Sequence, residues 1–265
     1  MSRSSRRLPT VGGLLAGIAV VVTACGGPSL PALTDPTEII MAGLTSVESA
    51  RTVHLEVRGD GEITIGLPGA SGTSTSIKLG GTTASADIDM AAGRAHATFA
   101  APGLLILSGE LIQIGETSYL KTSLGGPLFE VQEVVDSLPV DPTDASGIFD
   151  DMGDLLLADG VDPVKGHDVE CGGKPCYTVS IELTADELAA LGIVAPTPVD
   201  LPIDVRVVSL ALTIRVEQDS HRLAGVGSVI SLGDAGSLTL DVTASNWDQP
   251  MDISPPPADQ VKPAA

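Results

Sequence analysis

The sequence predicts an α+β chain built on one large antiparallel β-sheet with helices packed on one face. Short runs of alternating apolar and polar residues recur roughly every 8–12 residues, separated by turn residues. A helical period precedes the first run and returns in the middle of the chain. The resulting order of helix, strands, helices and strands favours segregated layers over a parallel α/β arrangement. A sheet of so many strands must curl.

The N-terminus is a leader. Arg3, Arg6 and Arg7 form a basic head, and Val11 to Val22 is an uncharged apolar run. That run is too short for a helix spanning a bilayer core of roughly 30 Å. A basic head, a short apolar run and a small residue before a cut describe a signal peptide. Val22-Thr23-Ala24-Cys25 reads as a lipobox, so residues 1–24 are expected to be removed and Cys25 acylated. Cleavage there removes three arginines and no acid, taking the net charge from −20 to −23. One acyl chain alone would anchor marginally, whereas the two or three carried by a lipoprotein cysteine suffice. The expected location is the extracytoplasmic face of the cell membrane.

Residues 25–34 form a linker reaching on the order of 30 Å when extended. Asp35-Pro36-Thr37-Glu38 is a helix start, with Asp35 as cap and Pro36 at the first helical position. Ile39, Ile40, Leu44 and Val47 then follow at helical spacing, to an end near Ser49. Val53, Leu55 and Val57 alternate as in a half-buried strand, Gly59-Asp60-Gly61 reads as a turn, and Ile63, Ile65 and Leu67 resume the period. Gly69 to Ser76 reads as a polar loop. Ala84 to Met90 and Arg94 to Ala100 form a hairpin around Ala91-Ala92-Gly93. Leu104 to Leu107, Leu111 to Glu116 and Ser118 to Thr122 read as further short strands.

The strand pattern stops over Leu128 to Leu157. Asp141-Pro142 opens a helical segment with Ile148, Phe149, Met152, Leu155 and Leu156 on one face. Tyr177 to Leu183 is a strand, and Thr184-Ala185-Asp186-Glu187 opens a short helix by capping-box chemistry, closed by Gly192. Strands are expected at Val205 to Gln218, Arg222 to Ser231 and Ser237 to Asn246. The domain runs over 35–254, and the Pro-rich tail 255–265 is expected to be loose.

With Cys25 acylated, Cys171 and Cys176 remain as a pair enclosing Gly-Gly-Lys-Pro, which in an oxidising compartment is expected to form a disulfide. A metal site there would need two more ligands, and His167 is the only histidine nearby. His54, His96, His167 and His221 are scattered, and exposed positions are expected for them. No His-Glu-x-x-His and no Gly-x-Ser-x-Gly is present; Gly225-Val226-Gly227 reads as a thin spot where another group approaches closely. Asp87-Ile88-Asp89 and Asp150-Asp151 lack calcium-loop spacing. The expectation is therefore no enzyme, no metal and no cofactor. A net charge of −20 also speaks against nucleic acid, since binding it requires cations to neutralise phosphates.

The chain resembles the LppX/LprG family of lipid-carrier lipoproteins over nearly all of Cys25 to Pro257. The resemblance is carried by Cys25, by Ser49-Ala50-Arg51-Thr52-Val53-His54-Leu55 after the first helix, and by Gly115-Glu116-Thr117-Ser118-Tyr119-Leu120-Lys121. Further along come Gly166-His167, Leu212-Thr213-Ile214-Arg215-Val216 before the turn at Asp219, Leu240 to Trp247, and the proline tail. The Cys171/Cys176 pair and the Gly69 to Ser76 insertion depart from the family pattern.

The resemblance implies a half-barrel sheet similar to LolA, with helices on its concave face and an apolar cavity between the layers. It also implies an acylated lipid or glycolipid as cargo, carried or presented across the cell envelope, with a membrane transporter or handover protein as a further partner. Candidates for its wall are Val53, Leu55, Val57, Ile63, Ile65, Leu105, Leu155, Leu156, Leu212, Ile214, Val216, Leu238, Leu240 and Val242, although by periodicity alone the stripes Val53/Leu55/Val57, Leu212/Ile214/Val216 and Leu238/Leu240/Val242 read as ordinary core. The competing reading is a non-catalytic surface scaffold or sensor that holds a protein partner through the same fold.

Overall fold

The computed structural model describes residues 30–66, 74–103, 106–133, 153, 155–158, 160–191 and 207–263. Among them no helix is long and apolar enough to cross a membrane.

Helix α1 (Pro36–Glu48) begins as its sequence dictates, with Asp35 Oδ1 accepting the Glu38 N–H at 3.0 Å and Pro36 in the first turn. Thirteen strands follow among the described residues: β1 (Thr52–Gly66), β2 (Ser74–Lys78), β3 (Thr82–Asp89), β4 (Arg94–Ala101), β5 (Leu107–Ile114), β6 (Thr117–Thr122), β7 (Glu130–Glu133), β8 (Val164–Lys165), β9 (Val169–Cys171), β10 (Lys174–Thr184), β11 (Ser209–Glu217), β12 (Leu223–Ser231) and β13 (Gly236–Ser245). All lie in one open sheet, in the order β7-β6-β5-β4-β3-β1-β13-β12-β11-β10-β8, with β2 on β1 and β9 on β10. Each named pairing is antiparallel, as expected, and the sheet is a curled half-barrel that does not close. Helix α2 (Ala185–Ala190) follows β10 and carries the expected reciprocal capping box between Thr184 and Glu187.

Several expectations need correction. No turn interrupts β1 at Gly59-Asp60-Gly61; the strand runs through, with Gly59 opposite Leu240 and Gly61 opposite Leu238. A Cβ on Gly61, at φ +131°, would meet the Ser237 carbonyl oxygen at 2.2 Å. The glycine therefore serves a close approach of two strands, not a reversal. β5 is likewise one strand from Leu107 to Ile114. Gly109 keeps its ladder intact by leaving room for the cross-strand Phe99 ring, whose Cζ would lie 2.4 Å from a Cβ at 109. β7 forms inside the stretch read as strand-free. Of the expected central helix, Gly153, Leu155 and Leu156 are helical, with the Leu157 N–H donating to the Gly153 carbonyl, while residues 134–152 lie outside the described residues.

The tail expected to be loose is held over residues 255–263. Phe129 donates its N–H to the Gln260 carbonyl and accepts from the Lys262 N–H, a parallel bridge onto the β7 edge. Ile253 packs with Ile112 and Phe129 in a second small core. The physical cause is apolar: Ile112 and Phe129 would otherwise face water, and burying such a side chain is worth about 1.5–3 kcal/mol.

Candidate functional site

Side chains alternate across a strand, so register decides which residues share a face. α1 packs on one face of β10, β11 and β12, here called the inner face. Ile39, Ile40, Leu44 and Val47 are buried against it. Gly43 brings the helix close enough that a Cβ there would lie 2.9 Å from Val216 Cγ2. The β11–β12 ladder slips between Arg215 and Val216, and Ser46 Oγ accepts the Leu223 N–H beside the slip at 3.0 Å.

Cross-strand partners run the inner face across the whole sheet. Ile181, Leu212, Ser228, Leu240 and Gly59 form one row. Val179, Ile214, Val226, Val242, Val57, Ala84, Phe99 and Gly109 form the next. Every strand residue expected to line a cavity, where its side chain is described, lies on this one face: Val53, Leu55, Val57, Ile63, Leu212, Ile214, Val216, Leu238, Leu240 and Val242. Ile65 sits in β1 opposite Thr75, and Leu105 is outside the described residues.

Burial divides the set. Val53, Leu156, Leu212, Ile214 and Val216 are sealed in the core with α1 and Trp247, so they are packing residues and not the wall of an open space. Leu155 is half-buried beside them. Leu55, Val57, Ile63, Leu238 and Val242 are half-buried, and Leu240 is 41% exposed. Among the described residues, the more accessible part of the inner face thus centres on β1 and β13, away from α1. The spacing missed its floor on β3 and β4, where Ala84, Ala86 and Ala97 alternate with polar residues and keep the surface low. The alternation was legible in the hairpin; its use as floor needed the register.

A cavity of about 360 Å³ is lined by Glu56, Val57, Arg58, Thr83, Ala84, Ser85, Thr98, Phe99 and Ala100. By register, Glu56, Ser85 and Thr98, with Arg58, Thr83 and Ala100, present their side chains on the opposite, outer face. This cleft has a mixed lining of polar side chains and of Val57, Ala84, Phe99 and Ala100, and it is distinct from the wholly apolar cavity expected between the layers.

The outer face carries paired charges. Two histidines expected to be exposed are half-buried there: His54 Nδ1 lies 2.6 Å from Asp87 Oδ1, and His96 Nε2 lies 3.0 Å from Glu110 Oε1. The Lys121 ammonium, hydrogen-bonded to Glu110 at 2.5 Å, holds that carboxyl below its usual range against the opposing cost of burial, with His96 adding to the effect. Arg215 crosses Gly225 to reach Asp241 at 2.8 Å, the close approach expected at that glycine. Among the described residues no three His, Cys, Asp or Glu side chains are placed to hold a metal ion. Cys171 and Cys176 are disulfide-bonded, closing the β9–β10 hairpin over Gly172-Gly173.

The end of the linker is also placed. Leu33 donates its N–H to the Tyr177 hydroxyl at 3.1 Å, and Lys165 Nζ donates to the Leu33 carbonyl at 3.0 Å while lying over the Tyr177 ring. Leu33 itself packs on the core.

No protein-family model matches the chain, and no curated protein does. Solved structures do. LprF from Mycobacterium bovis superposes with a TM-score of 0.54 at 16% identity, over 85% of this chain and 98% of LprF. The chain has the fold of LprF. At that identity the likeness is one of fold, and it is the fold that the LppX/LprG resemblance implied. The Mycobacterium tuberculosis lipoprotein LppX aligns at a TM-score of 0.40 and 16% identity, over 83% of this chain and 98% of LppX. A LolA-superfamily protein from Nitrosomonas europaea aligns at 0.27 and 9% identity, over 82% of this chain and 96% of its own.

Proposed function

We propose that this chain is a lipoprotein, anchored through Cys25 at the extracytoplasmic face of the cell membrane, whose inner sheet face takes the acyl chains of a lipid or glycolipid and carries or presents them across the envelope. The observation that carries this reading is the aliphatic surface around Leu240, which is left accessible among the described residues. It is continuous in register with Val57, Leu238 and Val242 and lies on the face of the sheet that α1 packs against. The LprF-like fold and the lipobox support it. Moving a chain of ~16 carbons into water costs on the order of 13 kcal/mol at about 0.8 kcal/mol per methylene. A face built from Leu, Val, Ile and Ala offsets that cost by contact alone, without polar groups that would slow release. Binding and release need no nucleophile, base or metal, so the function proposed is not enzymatic. A carrier held at one membrane also needs a handover partner, a transporter or a second carrier.

Native mass spectrometry of the Cys25→Ser protein, purified from a lipid-containing host, tests this. A co-purifying acylated lipid lost in Leu240→Asp is the expected result. Absence of any bound lipid, together with stoichiometric capture of one protein partner, would overturn it in favour of a scaffold or sensor.

A further inference from the structure

The turns β4–β5 and β6–β7 carry the two most exposed large hydrophobic side chains among the described residues. The chain has 34 acidic and 14 basic side chains, yet 101–108 and 122–129 contain no ionisable residue. Among the described residues each turn holds out one large aliphatic side chain: Ile106 is 77% exposed and Leu124 is 72% exposed. The two are tied together. Ser123 Oγ donates to the Ile106 carbonyl at 3.2 Å and accepts the Ser108 N–H, and the Ser123 N–H donates to the Ser108 carbonyl at 2.8 Å. Ile106 has φ +57°, a conformation rare for a β-branched residue.

Their position in the sheet is specific. Leu240 pairs with Gly59, Gly59 with Thr82, Thr83 with Ala100, Ala101 with Leu107 and Gly109 with Thr122. The two turns therefore lie at the sheet end marked by Leu240, opposite the end that α1 covers. An acidic protein is repelled by anionic surfaces, and two uncharged aliphatic tips are where it can meet an apolar one.

We propose that Ile106 and Leu124 form a membrane-contact rim that inserts among the headgroups of uncharged or zwitterionic lipid, setting the Leu240 end of the inner face against the bilayer. The purpose rests on the lipid-carrier reading; the exposed tips and their lack of charge do not. The tether permits it. Leu33 is held at the α1 end by Tyr177, and the eight residues to Cys25 span roughly 28 Å extended. The run of β10 from Tyr177 to Thr184 covers about 24 Å at roughly 3.4 Å per residue.

The acylated protein is reconstituted on phosphatidylcholine vesicles, with an environment-sensitive fluorophore at Ile106→Cys, Leu124→Cys or, at the other sheet end, Ala92→Cys. The expected result is a blue shift and several-fold shielding from iodide at 106 and 124, none at 92, and weaker shielding when phosphatidylglycerol is added. Equal exposure at all three positions overturns the proposal. Shielding that needs no vesicles and grows with protein concentration overturns it too, in favour of a second copy of the chain. Ile106→Glu with Leu124→Glu is expected to slow lipid pick-up from vesicles by about tenfold or more, leaving the amount bound at equilibrium unchanged. If the parent binds no lipid at all, the carrier reading fails while the shielding result still decides the rim.

Discussion

Gly43 of α1 lies directly against Val216 of β11: a Cβ built on the glycine would stand 2.9 Å from Val216 Cγ2. The contact sets how low the helix rides on the sheet. Val216 is β-branched and stiff at χ1, so it cannot swing away. Gly43→Ile is expected to lower stability by about 1–3 kcal/mol through overpacking, read by urea denaturation. Val216→Ala in the same chain should recover part of the loss, because the two changes act on one gap.

Ser46 satisfies a backbone group that the sheet leaves over. The ladder slip before Val216 turns the Leu223 N–H toward the helix, and Ser46 Oγ accepts it at 3.0 Å while donating to the Gly43 carbonyl at 2.6 Å. Ser46→Ala strands that N–H, at a cost of about 1–3 kcal/mol. Amide exchange at Leu223 should accelerate more than at Gly227, where the ladder is regular.

Exposure separates the proposed ligand face from the core. Leu240→Asp should change stability by no more than about 0.5 kcal/mol, as for other surface positions, yet reduce lipid retention. Ile214→Asp, which buries an unpaired carboxylate under α1, should cost at least about 3 kcal/mol or prevent folding. Thermal unfolding alongside lipid analysis by mass spectrometry checks both; equal destabilisation by the two changes would count against an open face.

Glu110 and Asp248 make the chain acid-sensitive. Lys121 lowers the pKa of Glu110, and the Arg51 backbone N–H, then Arg222, lowers that of Asp248. Folded values below the ordinary ones mean stability that is complete at neutral pH and is lost as pH falls from about 4.5 or 3.8, the ordinary values, through the lower folded ones. The Glu110 contribution is under about 1 kcal/mol for so accessible a pair. Lys121→Met should return the Glu110 titration toward its ordinary range, followed by carboxyl chemical shifts against pH.

The tail acts as a strap. Ile253→Ala should cost about 2–5 kcal/mol locally and speed amide exchange at Phe129, whose N–H is held by Gln260. Removing residues 255–265 should have the same effect on Phe129 and leave Val179 in β10 protected.

The sequence by itself determined what is local or periodic. Asp35, Pro36 and the Thr184/Glu187 pair start their helices because capping needs only neighbours. Val53-Leu55-Val57 and Leu212-Ile214-Val216 announce strands because side chains alternate every two residues. Cys171 and Cys176 are close in the chain, so their pairing was legible too.

Tertiary structure alone decided the rest. Gly59 and Gly61 look like a turn until β13 lies across them, because a glycine permits reversal and close approach equally. Val216 and Leu240 have the same apolar pattern, and among the described residues the seat of α1 buries the first and leaves the second 41% exposed. Phe129 and Val261 are far apart in sequence, and the strap they form depends on a sheet edge that no local pattern encodes. Periodicity gives each residue a face; which face is covered depends on packing between segments distant in the chain.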